Sequence, residues 1–312
     1  MTHALGNALK LFVAFGPAFV VCACASEPGG ADVRTQSRDA LRTALDSVVQ
    51  TSGAEVVGIY YRSLAEGGDS ITIDADVRMH AASTMKVPVM QRLFLDHQEG
   101  LRSLDSTLPV KRTFRSIVDG STYDLPPESD SDTTFYGEVG GQATIREMVD
   151  RMITWSSNLA TNILIEAAEP ERIETMLAEI GADSMSVLRG VEDLKAFEAG
   201  LSNSTTARGL GAAMAGIVES EVFSEEVREG MLDILSRQHF TGGIPSGVPD
   251  GVRVANKTGW ITGIHHDAAI VLPEDASTYV LVILVRGHPA EDQGEAMIAD
   301  LSALVWAHQM GN

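Results

Sequence analysis

The sequence predicts an α+β fold: an antiparallel sheet built from both ends of the chain and flanked by N- and C-terminal helices, with an inserted all-α subdomain. Two observations carry this prediction. Apolar runs rich in β-forming residues occur after residue 54 and again after residue 251, whereas apolar residues between them recur mainly at helical spacing. Helical patterns also stand at both ends of this region, so we expect helices to cover the sheet.

The N-terminal part of the region predicts a helix followed by a β-hairpin. Apolar residues recur at helical spacing between residues 31 and 49. A strand is predicted over residues 55–61, a turn at Gly67-Gly68 and a second strand over residues 70–75.

The central part predicts helices joined by long loops. Residues 114–141 are rich in Ser, Asp, Pro and Gly and form a predicted long loop. Long ordered loops often border a functional site, so we expect this one to do so. Helices are predicted over residues 86–97, 145–155, 158–168 and 171–180.

The C-terminal part predicts the remaining strands and the last helix. A helix that begins after Glu225 is followed by predicted strands over residues 252–257, 267–272 and 278–285. A closing helix is predicted over residues 293–308.

Composition limits the classes of function. The 312 residues carry a formal net charge of −20, which argues against binding nucleic acid or an anionic membrane surface, because phosphate binding needs clustered Lys and Arg. The two cysteines, Cys22 and Cys24, both lie near the N-terminus. The sequence beyond them therefore offers no disulfide, no thiol nucleophile and no thiolate metal site.

The first 25 residues predict an export signal. Lys10 precedes a short apolar run over residues 11–21, which fits the core of a signal peptide better than a membrane span. Residues 26–38 are then expected to be a tether and residues 39–312 the folded domain.

Two cleavage sites compete within this signal. A small-x-small site would cut before Ser26, whereas the segment Val21-Cys22-Ala23-Cys24 resembles a bacterial lipobox and would leave Cys24 lipidated. We favour the lipobox. The protein is accordingly expected to be exported, either periplasmic or anchored to a membrane as a lipoprotein.

The first motif with chemical content is Ser83-Thr84-Met85-Lys86, of the form S-x-x-K. A serine and a lysine three residues apart share one face of a helix. A serine hydroxyl becomes a nucleophile when a base takes its proton, and a desolvated lysine beside other cations can be that base. By itself the motif is weak, because an N-cap serine followed by a solvated lysine has the same spacing.

Two further motifs follow along the chain. Ser156-Ser157-Asn158, of the form S-x-N, lies at a predicted helix junction, where a hydroxyl could relay a proton and an amide could hold a substrate carbonyl. Lys257-Thr258-Gly259 lies on a predicted strand and supplies a charge, a hydroxyl and a residue without a side chain. Each is weak alone, but their order is that of penicillin-recognising serine enzymes.

From residue 39 to residue 306 the sequence resembles class A β-lactamases and their penicillin-binding relatives. The resemblance implies a β-lactamase/transpeptidase-like fold with an α/β part over residues 39–81 and 217–312, an all-α part over residues 82–216 and a cleft between them. It implies no metal and no organic cofactor. The stretches that carry it are AASTMKVPVM, TIREMVDRMITWSSNLATN and VANKTGWITG.

The resemblance also implies the roles of residues that carry out acylation. Ser83 would be the acylated nucleophile, Lys86 its general base or proton carrier, and Ser156 the proton donor to the leaving nitrogen. The backbone N–H groups of Ser83 and Trp260 would form the oxyanion hole.

The remaining matched residues would bind substrate. Asn158 would position the substrate amide, and Lys257 and Thr258 would bind the substrate carboxylate. Gly259 would let substrate approach the strand closely.

The chain departs from the class A pattern at two places. Position 157 is Ser where those enzymes usually have Asp. The E-x-x-L-N pattern that supplies the deacylating Glu is absent, so Glu192 is the best-placed candidate for this base, ahead of Glu198 and of Glu166, which lies in the wrong segment. A solvated loop carboxylate explains Glu192 equally well.

Class A enzymes often supply a carboxylate-binding Arg near the strand that begins at HHDAA. His265 or His266 could line the cleft there, although hydrogen bonding at the strand end is an equal alternative. Arg286, at the end of the next strand, could supply a positive charge to the cleft, or could simply be exposed.

Three hypotheses for function follow. The first is a β-lactamase that acts as a monomer on small β-lactams. The second is a D,D-peptidase, or a related cell-wall amide or ester hydrolase, which would act on a cell-wall peptide. The third is a non-catalytic binding lipoprotein.

Overall fold

The computed structural model describes residues 30–288 and 293–311. The export signal and Cys24 lie outside the described residues, as does the first part of the expected tether. Residues 30–38, which we expected to belong to the tether, are helical and form the start of the first helix, and their role as a tether stays a prediction. The helix can begin this early because no proline interrupts the chain between Pro28 and Pro88.

The predicted helices and strands are present, with ends that differ by a few residues. The strand expected over residues 252–257 continues to Ile261. The helices are α1 Gly30–Thr51, α2 Lys86–Gln98, α3 Ile145–Thr154, α4 Asn158–Ala168, α5 Pro170–Glu179, α6 Leu194–Glu198, α7 Ala207–Glu219, α8 Glu225–Ser236 and α9 Gln293–Gln309. The strands are β1 Val56–Ser63, β2 Ser70–Ile73, β3 Met79–His80, β4 Thr107–Pro109, β5 Thr113–Arg115, β6 Thr122–Asp124, β7 Gln142–Thr144, β8 Ser204–Thr205, β9 Arg253–Ile261, β10 Ile264–Leu272 and β11 Tyr279–Arg286.

Both chain ends contribute to one antiparallel sheet with the strand order β2-β1-β11-β10-β9. The ends meet where Ile59 of β1 is paired with Ile283 of β11. Strand β9 lies at the edge of the sheet and pairs Lys257 with Ala268 of β10. The prediction of one antiparallel sheet built from strands of both chain ends is therefore confirmed, and the edge strand of this sheet carries the K-T-G motif.

The sheet is buried on both faces, which explains why β11 reads as a continuous apolar run. Val282 packs with the central helices, whereas Ile283 packs with α1 and α9 through Leu45 and Leu301. Alternate residues of one strand thus belong to two different cores.

Helix α2 is the centre of the helical part and is buried along most of its length. It carries Lys86 at its N-terminal end and Asp96 near its C-terminal end, and both side chains are fully buried. The Asp96 carboxylate accepts a hydrogen bond from Arg92 Nε at 2.8 Å and is also bonded by Arg172 of α5, whose Nη1 lies at 3.1 Å. A buried ion cluster therefore ties α2 to α5.

The long loop expected over residues 114–141 is more ordered than its composition indicates. It includes the hairpin of β5 and β6 and two short 3₁₀ turns, Pro127–Ser129 and Thr133–Glu138. Phe135 is fully buried beneath the guanidinium of Arg151, and it anchors the loop. The expectation that this loop borders the site is met, because Ser131 lines the cleft described below.

Within the part of the chain that the structure describes, no helix is both long enough and apolar enough to cross a membrane.

Candidate active site

Ser83 lies in a tight 3₁₀ turn, Ala82–Met85, that leads directly into α2. Ala82 before it has a positive φ of 45°, a conformation that L-residues rarely adopt and that recurs at functional sites. Its N–H donates to His80 Nδ1 at 2.9 Å, which helps to hold the turn. Ser83 is half-buried and lines a cleft next to the sheet edge.

Gly259 lets β9 pass very close to the nucleophile. A Cβ at this position would lie 3.2 Å from the Ser83 backbone N and 3.0 Å from Thr84 Cγ2. We expected Gly259 to let substrate approach the strand closely. In the structure it is the turn that carries Ser83 that packs closely against Gly259. Ser83 and Trp260, the residue after Gly259, therefore lie on neighbouring segments. The backbone N–H groups of two oxyanion donors must be close together in this way.

The Lys86 side chain is fully buried beneath the S-x-N motif. Its Nζ donates to the Ser156 backbone O at 2.7 Å, to Ser156 Oγ at 3.1 Å and to Asn158 Oδ1 at 2.9 Å. The first and second motifs, which are 70 residues apart in sequence, therefore meet at one amine.

Ser156 sits between two buried lysines. Its Oγ lies 3.1 Å from Lys257 Nζ as well as 3.1 Å from Lys86 Nζ. A positive φ of 57° at Ser156, just before α4 begins, turns its side chain toward both. All three motifs thus converge on one hydroxyl.

Burial and like charge change the protonation of both lysines. Desolvation lowers the pKa of Lys86 from 10.5 to about 7, although the charge of Asp130 opposes this shift. Desolvation and the charge of Lys86 hold the pKa of Lys257 well below its ordinary value. The desolvated lysine that we expected beside another cation is present, and it can be neutral near pH 7.

The cleft has a volume of about 520 Å³. Ser83, Ser156 and Thr258 line it together with the aromatic side chains of Phe240 and Trp260. Trp260 is 59% exposed, so its ring is available to a ligand. The cleft is large enough for a small molecule that reaches the nucleophile.

Glu192 does not belong to this convergent cluster. It is half-buried in the loop before α6 with a positive φ of 63°, and its charge acts on Arg189, not on Lys86. The loop residue held toward α4 is Val191, whose N–H donates to Asn162 Oδ1 at 2.6 Å and whose carbonyl accepts from Asn162 Nδ2 at 3.0 Å. The role of Glu192 therefore stays a prediction.

His266 is a structural residue of the strand, as one of our two alternatives held. Its Nε2 is 3.0 Å from His80 O and its Nδ1 is 3.1 Å from Val285 N, so the first donates and the second accepts. Burial lowers the pKa of His266 to about 4, which keeps the ring neutral. His266 thus ties β10 to the segment before Ser83, and both His265 and His266 line the cleft.

Arg286 is not in the cleft, and the suggestion that it supplies positive charge there is wrong. Its Nη2 forms an ion pair with Glu55 at 2.9 Å, because β11 ends beside the start of β1. No arginine is found among the described residues that line the cleft.

Two polar residues with hydrogen bonds to or from α4 were not predicted from the sequence. Asp130 accepts a hydrogen bond from Leu159 N at 2.8 Å, and Asn162 clamps the loop at Val191. Asn162 follows Asn158 by one helical turn, so the helical spacing could have placed it on the same face. Nothing in the sequence connects Asp130 with α4, because the contact spans a loop.

Among the described residues, no three His, Cys, Asp or Glu side chains converge as a metal site would require. The cleft instead combines a serine in a strained turn, a buried amine of lowered pKa, a second hydroxyl and two backbone donors. This set of groups defines a serine hydrolase that works by acyl transfer.

Comparison with known proteins agrees with this class. A model of the β-lactamase enzyme family matches residues 40–309. The chain is 26% identical over 260 residues to a β-lactamase of Amycolatopsis lactamdurans, covering 81% of this chain and 80% of the relative. It is 28% identical over 256 residues to β-lactamase 3 of Bacillus cereus, covering 80% of this chain and 75% of the relative.

A solved structure of PBP-A is similar in fold, with a TM-score of 0.76 and 25% sequence identity over 88% of this chain and 97% of that one. The chain belongs to the β-lactamase enzyme family. It is a serine hydrolase of the class A-like β-lactamase type.

Proposed function

We propose that this protein hydrolyses β-lactams through an ester of Ser83. The observation that carries the proposal is the buried amine of Lys86, which hydrogen-bonds both Ser156 Oγ and Asn158 Oδ1. In its neutral form Lys86 would take the Ser83 proton as Ser83 Oγ attacks the lactam carbonyl. The N–H groups of Ser83 and Trp260 would bind the developing oxyanion.

The leaving nitrogen needs a proton when its bond to the carbonyl carbon breaks. Ser156 Oγ would donate it and would recover a proton from the Lys86 ammonium, which lies 3.1 Å away. Lys257 Nζ, 3.1 Å from the same oxygen, would favour the electron-rich state of Ser156 Oγ. Water then cleaves the ester, and Ser83 Oγ regains its proton.

Substrate recognition would use the polar groups next to this relay. Asn158 Nδ2 donates to Ser129 O at 2.7 Å and keeps a second N–H for the substrate amide. Lys257 and the half-exposed Thr258 hydroxyl would bind the substrate carboxylate at the inner end of the cleft.

The test is incubation of the purified protein with a chromogenic cephalosporin, with colour and intact mass followed together. Repeated turnover with a transient adduct is the expected result. A single burst with a persistent adduct would favour the D,D-peptidase. The absence of both colour and adduct would contradict an acyl-enzyme on this protein.

The rate of acylation is expected to depend on the protonation of Lys86. Because burial lowers the pKa of Lys86 to about 7, the neutral base is abundant above pH 7 and falls about tenfold per pH unit below it. The second-order rate constant of acylation, measured by stopped flow between pH 5 and 9, should rise to a plateau with an apparent pKa near 7. A rate that still rises about tenfold per pH unit up to pH 9, as expected for an ordinary lysine, would contradict the assignment of Lys86 as base.

Glu192 is proposed as the base that activates water for deacylation. Glu192→Gln should then slow release of the adduct by roughly a hundredfold, the typical contribution of a general base, and leave acylation unchanged. Single-turnover mass spectrometry measures both steps. Glu198→Gln, at the end of the short helix α6 that follows Glu192, is the matched control. Release at the parent rate in Glu192→Gln would remove Glu192 from the mechanism.

We further propose that the protein is an exported monomer, periplasmic or anchored to a membrane through lipid on Cys24. The apolar run over residues 11–21 and the lipobox-like segment support this proposal. Intact mass of the protein isolated from the producing cell distinguishes a lipidated Cys24 from cleavage before Ser26. Light scattering of the soluble domain tests the monomer.

A further inference from the structure

The S-x-N motif of this chain carries no acid, yet a carboxylate lies against it. Ser157 is fully buried between Ser156 and Asn158, and its Oγ is 3.5 Å from Asp130 Oδ2. The same carboxylate oxygen accepts a hydrogen bond from Leu159 N at 2.8 Å. A loop residue that precedes the motif by almost thirty positions thus meets the first turn of α4.

The loop that carries this carboxylate is fastened to the motif at more than one point. Asn158 Nδ2 donates to Ser129 O at 2.7 Å. Asp130 Oδ1 accepts from Asp132 N at 3.0 Å, which orients the carboxylate, and Ser131 lines the cleft. A carboxylate at a helix N-terminus is also favoured by the helix dipole.

We propose that Asp130 is a positioning residue for the reaction at Ser83: its carboxylate, supplied by the loop, takes the place of the acid that class A enzymes have at position 157. This inference rests on the proposed function of Ser83 and Lys86. Asp130 holds the first turn of α4, and through it the orientation of Asn158 and Ser156 toward Lys86. It also places a negative charge near the buried lysines.

The charge has an effect that a purely structural contact lacks. The charge of Asp130 opposes the lowering of the Lys86 pKa by burial. The Lys86 amine therefore has comparable protonated and neutral populations near pH 7. The other titratable group facing Lys86 is Lys257 of β9, through Ser156. Tyr136 next to Asp130 stays neutral, because burial and the charge of Asp130 raise its pKa, with smaller effects of Glu128 and Arg112.

The experiment exchanges the two side chains. Asp130→Asn removes the charge with little change of shape, and Ser157→Asp adds a second carboxylate close to the first. The double variant D130S/S157D moves the acid from the loop into the motif. Aspartate is a good N-cap, so it can replace the Ser157 hydroxyl, which now accepts from Ala160 N at 3.3 Å.

Two measurements are made on each variant. The first is the pH profile of acylation by the chromogenic cephalosporin. The second is the titration of Lys86 by NMR of protein labelled with ¹³C at lysine Cε. The sequence contains only five lysines, and the Lys86→Arg variant identifies the Lys86 signal. Glu128→Gln, which removes one exposed charge from the same loop, is the control.

In Asp130→Asn we expect the Lys86 titration and the acidic limb of acylation to move about one pH unit lower, and the plateau rate to fall about tenfold. In the exchanged double variant the limb and the titration should return to the parent pH. Ser157→Asp alone should be destabilised by repulsion between the two carboxylates, and Glu128→Gln should keep the parent limb.

An Asp130→Asn variant with the parent limb and the parent Lys86 titration would overturn the inference, since a structural contact alone lowers the rate without moving the pH profile. If Asp130→Asn does not fold, the exchanged variant decides: a limb at the parent pH supports the inference and a displaced limb refutes it. The NMR titration needs no turnover. A parent protein that forms no adduct therefore defeats the proposed function, whereas an unmoved titration defeats the role of Asp130.

Discussion

Replacing Ser83 with alanine is expected to abolish the covalent adduct and to reduce cephalosporin turnover on the order of 10⁶-fold, as loss of the nucleophile does in other serine hydrolases. The reason is chemical: in the proposed mechanism Ser83 Oγ forms the ester, and a methyl group cannot. The fold should survive, since Ser83 is half-buried and Ala82 already occupies the strained position in this turn. Intact mass after incubation with the cephalosporin measures the effect directly.

Ser131 provides the matched control for this prediction. It lines the same cleft as Ser83 but belongs to the loop that precedes α3. Ser131→Ala should retain the adduct at close to the parent rate. An adduct of unchanged mass and rate in Ser83→Ala would show that another residue is the nucleophile.

Replacing Asp96 with alanine is expected to lower the free energy of unfolding by about 3–5 kcal/mol, the usual cost of removing one partner from a buried ion pair. Asp96 is fully buried and accepts hydrogen bonds from both Arg92 and Arg172. Without it the guanidinium of Arg92, which is also nearly buried, loses its closest counter-charge. Equilibrium unfolding in urea measures the change.

The exposed pair between Arg42 and Asp46 is the control for this effect. It has the same i,i+4 spacing as Arg92 and Asp96, but both side chains are more than one third exposed. Asp46→Ala should change the free energy of unfolding by no more than about 0.5 kcal/mol. Equal losses in the two variants would contradict the view that burial makes the Asp96 cluster important.

Local pattern predicted the secondary structure well where it is strongly periodic. Helix α4 was expected over residues 158–168 and is observed as Asn158–Ala168. The pattern failed over residues 114–141, where the hairpin and the 3₁₀ turns are short and depend on contacts with the rest of the chain. The helical spacing over residues 31–49 is observed as α1, Gly30–Thr51.

Sequence motifs predicted which groups converge but not how they are charged. Ser83, Lys86, Ser156 and Lys257 could be named from spacing and order, because the motifs preserve the residue types that acyl transfer needs. Arg286 was misplaced, since the strand register that carries it to Glu55 is set by pairing between the two chain ends.

The sequence by itself therefore determined the class of fold and predicted Ser83 as the nucleophile together with its partner residues, because these predictions depend on residue type and local periodicity. Only the tertiary structure shows that Lys86 and Lys257 are both fully buried and that both contact the Ser156 hydroxyl. It also places the carboxylate of Asp130 against Ser157, where the motif has no acid of its own. The physical reason is that desolvation and electrostatic interactions depend on distances between segments far apart in the chain, which spacing along the sequence does not specify.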